Sequence, residues 1–426
     1  MIKLILKSLI LLSFRLNLHF IYSYILYYKT KVHHDKKLNG IIVFNRVNSD
    51  MEHLTKVDKY NYFILNSKLQ YGIASLFLDK EIMSQKEYFL TKNSKHISQK
   101  ENFKNEIYKV LKHFKKLANI KYIFVANCNY FEHQEWANAG NVLKIKLIVY
   151  SKESVLPKGR SDAFNSHFTS LSESIKNIDK IFVYGESGYE QYKNSKLVKN
   201  QNIHKVGALK TDYLFNKIKN IQSQDRKKDI TFFAFPCGEF PINFDPDSFN
   251  SQVWQGGYWA PKLWKDSFDL FLEVAESFPN EKFVIKTKSE ESTSLIMDQA
   301  IIRNLSNVVY THDKPTWKIY KDSQLIFGFN STVLLEMLIT DIPVFIPKWH
   351  EAESQKLGNK MILNSPSNAY NTFHSKDEMK DRLSNFIVDK KNLEIKNYNS
   401  AREMIIKNHF HKVDGKVANR ILLILE

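Results

Sequence analysis

LIFGFNSTVLLEMLITDIPVFIP, residues 325–347, is the stretch on which the fold turns. Its first five residues are an apolar run with the length of a buried strand. That run enters Asn330, Ser331 and Thr332, side chains suited to capping a helix, and an apolar helix follows over residues 331–340. Asp341 and Pro343 end the helix, and a second buried strand resumes at residues 344–346. A strand, a tight turn, a helix and another strand place the unpaired N–H groups of a helix start at the carboxyl edge of a parallel sheet. Such an edge can seat a diphosphate. Any unit of this kind also caps its helix with Ser or Thr while holding no ligand, so the segment alone leaves both readings open. Glu336, early in the helix, is within reach of a ribose or sugar hydroxyl.

The same alternation extends outward. Upstream lie strands at 230–235, 283–287 and 308–311 and helices at 264–278, 293–305 and 316–322. The first half repeats the pattern, with strands at 40–45, 62–65, 122–126, 144–150, 180–184 and 203–206. Helices are expected there at 102–117, 135–142, 166–177 and 188–194. Short apolar strands separated by helices imply a parallel sheet covered on both faces. A polar stretch, 216–228, reads as a linker. The expected architecture is α/β, two Rossmann-like doubly wound lobes (38–215 and 229–390) facing a cleft. C-terminal helices at 376–388, 400–408 and 416–425 are long enough to pack back across it, with residues 391–426 returning to the first lobe.

Composition excludes several classes. The 426 residues are 43% hydrophobic, enough for sizeable cores and unlike a disordered chain. Cys128 and Cys237 are too few for a disulfide framework. His133, His167, His204 and His350 lack metal-ligand spacing. The formal charge of +17 would attract polyanions, but the lysines are spread along a chain generally rich in Lys, Asn, Ile, Tyr and Phe. Without a basic stripe or a nucleic-acid module, nucleic acid is not an expected partner.

Residues 1–31 are apolar and basic. On a helix Lys3, Lys7, Arg15 and His19 would form one ridge among Ile, Leu, Phe and Tyr. No small-residue cleavage site follows, so this is not read as a cleaved signal peptide. A spanning helix would set Arg15 near its centre, at about 2.5–3.5 kcal/mol. An in-plane helix avoids that by keeping the ridge among headgroups. Three placements stay open: in the membrane plane, across the membrane, or packed on its own domain.

The run GFNSTVLLEMLITDIPVFIP resembles the C-lobe signature of GT-B enzymes, a G-x-x-S-T-x-x-x-E helix followed by x-P-V-I, with Phe345 in the last position. A second block, KIFVYGESGYEQYKN followed by NIHKVGALKTDYLF, is similar to the superfamily's D-x-[IV]-x-[VT]-x-G strand and V-G-x-x-[RK]-x-D segment, here 179–185 and 206–212. Together the blocks cover roughly residues 120–350. The resemblance reaches glycosyltransferases of surface polysaccharide, capsule and lipopolysaccharide synthesis, CDP-glycerol glycerophosphotransferases and UDP-N-acetylglucosamine 2-epimerases. It implies that Asn330, Ser331 and Thr332 meet the donor diphosphate, that Glu336 meets donor hydroxyls, and that Gly207 turns the chain into the cleft. Where related enzymes carry His-Pro this chain has FVIKTK, and Lys286 and Lys288, on one face of the strand, would neutralise a donor phosphate. That departure and the missing His-x-Glu-Ala-Gly segment weigh against an epimerase.

In the loop LIVYSKESVLPKGRSDAF, the resemblance to polysaccharide transferases with a Lys-Glu pair makes Glu153 the candidate general base, with Asp162 in reserve. Lys158 and Arg160 would hold an acceptor phosphate. The aromatic and glycine-rich segment 235–264 either stacks on ligand or pins its own loop. The expected activity is transfer of a sugar or polyol phosphate from a nucleotide-activated donor to a glycan or lipid-linked acceptor at the cytoplasmic face of a membrane, the protein being peripheral or anchored by one helix. No tightly bound cofactor or metal is expected; the nucleotide-sugar or CDP-polyol is substrate. The competing readings are a 2-epimerase of the same fold and a non-catalytic α/β binding protein.

Overall fold

The computed structural model describes residues 12–33, 35, 37–45, 51–151, 177–221, 228–234, 260–287, 303–329, 331–354, 361–363, 368–389 and 398–426. The first lobe holds β1 (Lys31–His33), β2 (Gly40–Asn45), β3 (Asn61–Asn66), β4 (Ile120–Val125), β5 (Lys146–Tyr150), β6 (Ile178–Val183) and β7 (Ile203–Lys205). Their spatial order is β1-β3-β2-β4-β5-β6-β7, parallel throughout except for the edge pair β1–β3. The second lobe holds β8 (Asp229–Phe233), β9 (Phe283–Lys286), β10 (Val308–Thr311), β11 (Ser323–Gly328), β12 (Val344–Pro347) and β13 (Asn371–Phe373). That sheet is parallel, in the order β10-β9-β8-β11-β12-β13. Ile41 to Phe44 in β2 and Leu325 to Phe327 in β11 are fully buried, because helices cover both faces of each sheet.

The helices that matter to the site are α1 (His19–Thr30), α2 (Ser94–Ala118), α3 (Phe131–Val142), α4 (Glu186–Ser195), α5 (Leu209–Ile218), α6 (Pro261–Ser277), α7 (Thr316–Asp322), α8 (Thr332–Met337), α9 (Lys376–Val388), α10 (Tyr398–Phe410) and α11 (Val417–Leu425). Helix α2 starts eight residues ahead of its apolar periodicity. Asn93 caps it by accepting the Lys95 N–H, and its first two turns are too polar to show a buried face. Helix α5 continues to Ile218, three residues into the stretch read as a linker. The three-residue strands β1 and β13 are too short to show a period. The helices expected at 166–177 and 293–305 lie largely outside the described residues.

The N-terminal segment requires a correction. It is not one continuous basic-ridged helix, because Asn17, at φ 57°, interrupts it before α1 begins. His19, assigned to the headgroup-facing ridge, is buried and hydrogen-bonded to Glu106 of α2. Burial raises the Glu106 carboxyl pKa, but hydrogen bonds from Lys109 and His19 more than offset this and hold it below the usual range. Tyr22, Ser23, Leu26 and Thr30 are buried with His19, and Ser23 donates to the Val110 carbonyl at 2.9 Å. One face of α1 is therefore part of its own domain. Among the described residues no helix is long and apolar enough to cross a membrane.

At the other end of the chain, α10 and α11 rest on the first lobe. Helix α10 packs against α4 so closely that a side chain at Gly185 would strike the Asn408 backbone. The Tyr122 hydroxyl donates to the Leu425 carbonyl at 2.5 Å. Arg402 ties α10 to the second lobe, donating to the carbonyls of Ala369 at 2.9 Å, Ile342 at 2.7 Å and Thr340.

Candidate functional site

Strand order reverses between β8 and β11 in the second lobe, and carboxyl ends at such a switch point are where open α/β sheets bind ligands. The 325–347 segment leaves the sheet there. Gly328 pairs with Phe233 across the switch, and a Cβ on it would lie 3.1 Å from the Phe233 carbonyl oxygen. Ser331 Oγ accepts the Val333 N–H at 3.3 Å, so this side chain caps α8, which opens at Thr332. Glu336 is buried, and its Oε1 lies 2.8 Å from Lys210 Nζ on α5 of the first lobe. Lys286, at the carboxyl end of β9, donates to the carbonyls of Thr287 at 2.6 Å and His312 at 2.7 Å. Asn330 and Lys288 lie outside the described residues.

The facing segment of the first lobe, residues 206–212, is held from two sides. The Tyr150 hydroxyl accepts the Leu209 N–H at 2.7 Å. Gly207, at φ +94°, faces Val417, Arg420 and Phe410, so its missing side chain makes room for the C-terminal segment. Asp212 Oδ2 accepts N–H bonds from Val417 at 2.6 Å and Ala418 at 3.3 Å, capping α11. Burial pushes its carboxyl up to about 6, against those bonds and the nearby Arg420 charge. Ser151, at the end of β5, accepts a hydrogen bond from the Tyr192 hydroxyl at 2.9 Å. The chain leaves the described region there, and Glu153, Lys158, Arg160 and Asp162 lie beyond it.

The first lobe's own switch point falls between β2 and β4. Helix α3 begins beside it with Glu132, His133, Gln134 and Glu135 all buried, and the His133 ring stacks on Phe44 with centroids 5.0 Å apart. In the second lobe a recess of about 410 Å³ opens at the ends of β12 and β13, lined by Lys348, Tyr370, His374 and Glu378 among others.

Lys210, Asp212 and the α3 cluster were not singled out from sequence as site residues. Lys210 and Asp212 occupy the basic and acidic positions of the V-G-x-x-[RK]-x-D segment, which is a usable signal. The α3 cluster has none, because a run of polar residues at a helix start reads as solvated.

No known protein family and no curated protein matches the sequence. The fold, however, is shared with solved structures over nearly the whole chain. The wall teichoic acid polymerase TagF superposes with a TM-score of 0.53 at 12% identity, covering 100% of this chain and 97% of that one. A UDP-N-acetylglucosamine 2-epimerase superposes at 0.50, also at 12% identity, covering 92% and 96%. At such identity the likeness is one of fold alone: two α/β lobes with mostly parallel sheets and the C-terminal helices returned to the first.

Proposed function

We propose that the chain is a nucleotide-dependent glycosyltransferase, moving a sugar or polyol phosphate from an activated donor to a surface-polysaccharide or lipid-linked acceptor. One observation carries this reading. The two segments that resemble GT-B motifs, far apart in sequence, meet through Lys210 and Glu336 beside the second lobe's switch point. In the proposed roles the turn at Asn330, Ser331 and Thr332 holds the donor diphosphate through backbone N–H groups, with Lys286 and Lys288 balancing its charge. Glu336 exchanges Lys210 for a donor hydroxyl. Glu153 takes the proton of the attacking acceptor hydroxyl, Asp162 is the reserve base, and Lys158 and Arg160 hold an acceptor phosphate.

The 2-epimerase reading draws on the fold shared with the epimerase, and one experiment separates the two. Purified protein is screened by thermal shift against UDP, CDP, GDP and CMP and their sugar or polyol conjugates. A stabilising donor is then incubated with and without glycan or lipid-diphosphate acceptors. Acceptor-dependent release of nucleotide, reduced about 10²–10⁴-fold in Glu153→Gln, is the expected result. An isomerised sugar formed without acceptor would favour the epimerase. No stabilisation at millimolar nucleotide would remove the basis for either.

A further inference from the structure

The face of α1 turned away from the domain has an order that the fold does not use. On α1 itself Phe20, Tyr24 and Tyr28 are spaced four apart and are 51 to 69% exposed; Leu12 and Leu16, before the break at Asn17, and Val32, in β1, are exposed as well. The opposite face, from His19 to Thr30, is buried against the lobe, so packing fixes which residues point outward. The Tyr24 and Tyr28 rings stack at 6.0 Å, which makes the outward surface aromatic and continuous. Arg15, Lys29 and Lys31 are exposed along the same segment, with Lys31 Nζ 5.8 Å from the Tyr27 ring centroid. Residues 1–34 contain no Asp or Glu.

From this arrangement we infer that the outward face of residues 12–32 docks onto an anionic lipid surface. Aromatic and aliphatic side chains enter the boundary between headgroups and acyl chains, while Arg15, Lys29 and Lys31 meet lipid phosphates. Charge complementarity selects this occupant over a second copy of the chain. Two copies meeting on this face would oppose cations to cations, with no carboxylate on the segment to balance them. The membrane-facing surface is thus the side of α1 opposite the buried His19. This inference is independent of the transfer chemistry. Loss of vesicle binding would leave the donor assay unaffected, and an inactive enzyme could still bind vesicles.

The test is co-sedimentation of the full chain with phosphatidylcholine vesicles, with and without phosphatidylglycerol. Wild type is expected to pellet with the anionic vesicles and to be released by salt. The triple variant Phe20→Ser/Tyr24→Ser/Tyr28→Ser should bind about tenfold or more weakly with its melting temperature kept, because these side chains are exposed. Met404→Ser, which removes an exposed apolar side chain on α10, should bind as wild type does. Arg15→Gln/Lys29→Gln/Lys31→Gln should lose the preference for anionic vesicles. Equal pelleting of wild type and the Phe20/Tyr24/Tyr28 variant would overturn the inference. So would a self-associating wild type that the same variant turns monomeric without changing vesicle binding.

Discussion

Lys210 Nζ lies 2.8 Å from Glu336 Oε1, joining α5 of the first lobe to α8 of the second. Nearby, Lys217 of α5 lies 5.5 Å from the centroid of the Trp317 ring on α7, so the lobes meet through cations on one side and an acid and an aromatic on the other. The Glu336 side chain is almost wholly buried and Lys210 keeps one-fifth of its exposure. Removing either partner leaves the other poorly solvated.

Lys210→Ala is expected to destabilise the protein by about 2–3 kcal/mol, under the ~3–5 typical of fully buried pairs because Lys210 is partly solvated. The double variant Lys210→Met/Glu336→Leu should recover most of that loss. Urea midpoints of wild type, Lys210→Met, Glu336→Leu and the double variant form a double-mutant cycle, and additive effects would contradict direct coupling.

Asp212 makes stability depend on pH. Its folded value of about 6 lies above the ~3.9 of an unfolded aspartate. Its contribution is therefore whole below about pH 4 and is lost as pH rises through 6. Asp212→Asn keeps an oxygen to cap Val417 and should match wild type at pH 4, then exceed it by about 2 kcal/mol at pH 8. A difference that does not vary between those pH values would refute this account.

Gly207→Ala puts a methyl group 2.8 Å from Val417 Cγ2 on a backbone at φ +94°. Strain and collision together should cost about 2 kcal/mol or more. The damage should be local. Amide exchange should accelerate first across α10 and α11, and uniform acceleration in both lobes would count against it.

Arg402→Met removes the donors for three carbonyls that link α10 to the second lobe. A loss of about 3 kcal/mol is expected, since three carbonyls lose the guanidinium N–H bonds that Arg402 supplies. Limited proteolysis should then release the C-terminal helices; an unchanged digestion pattern would show that α10 is held by other contacts.

Both sheets were legible in the sequence because a strand buried on two faces is a short apolar run, as in GIIVFN and LIFGF. Less legible were elements whose partners are distant. Strand β1 is three residues long and exists because β3 offers it an edge, and the polar start of α2 shows no buried stripe. Of the candidate site, Ser331, Thr332, Glu336 and Gly207 were picked out by motif, and Lys286 by its place at a strand end where related enzymes carry His-Pro. Their actual neighbours were not readable, since Lys210, His312 and Val417 approach from remote parts of the chain.

Residues 325–347 by themselves determined a strand, a capped helix and a second strand, because propensity, capping and apolar run length are local properties. Only the tertiary structure decided that this unit sits at a topological switch point, that Glu336 faces a lysine from the other lobe, and which side of α1 is left outward. Those outcomes depend on strand order and helix packing, which are set by contacts between residues far apart in the chain and leave no local pattern to read.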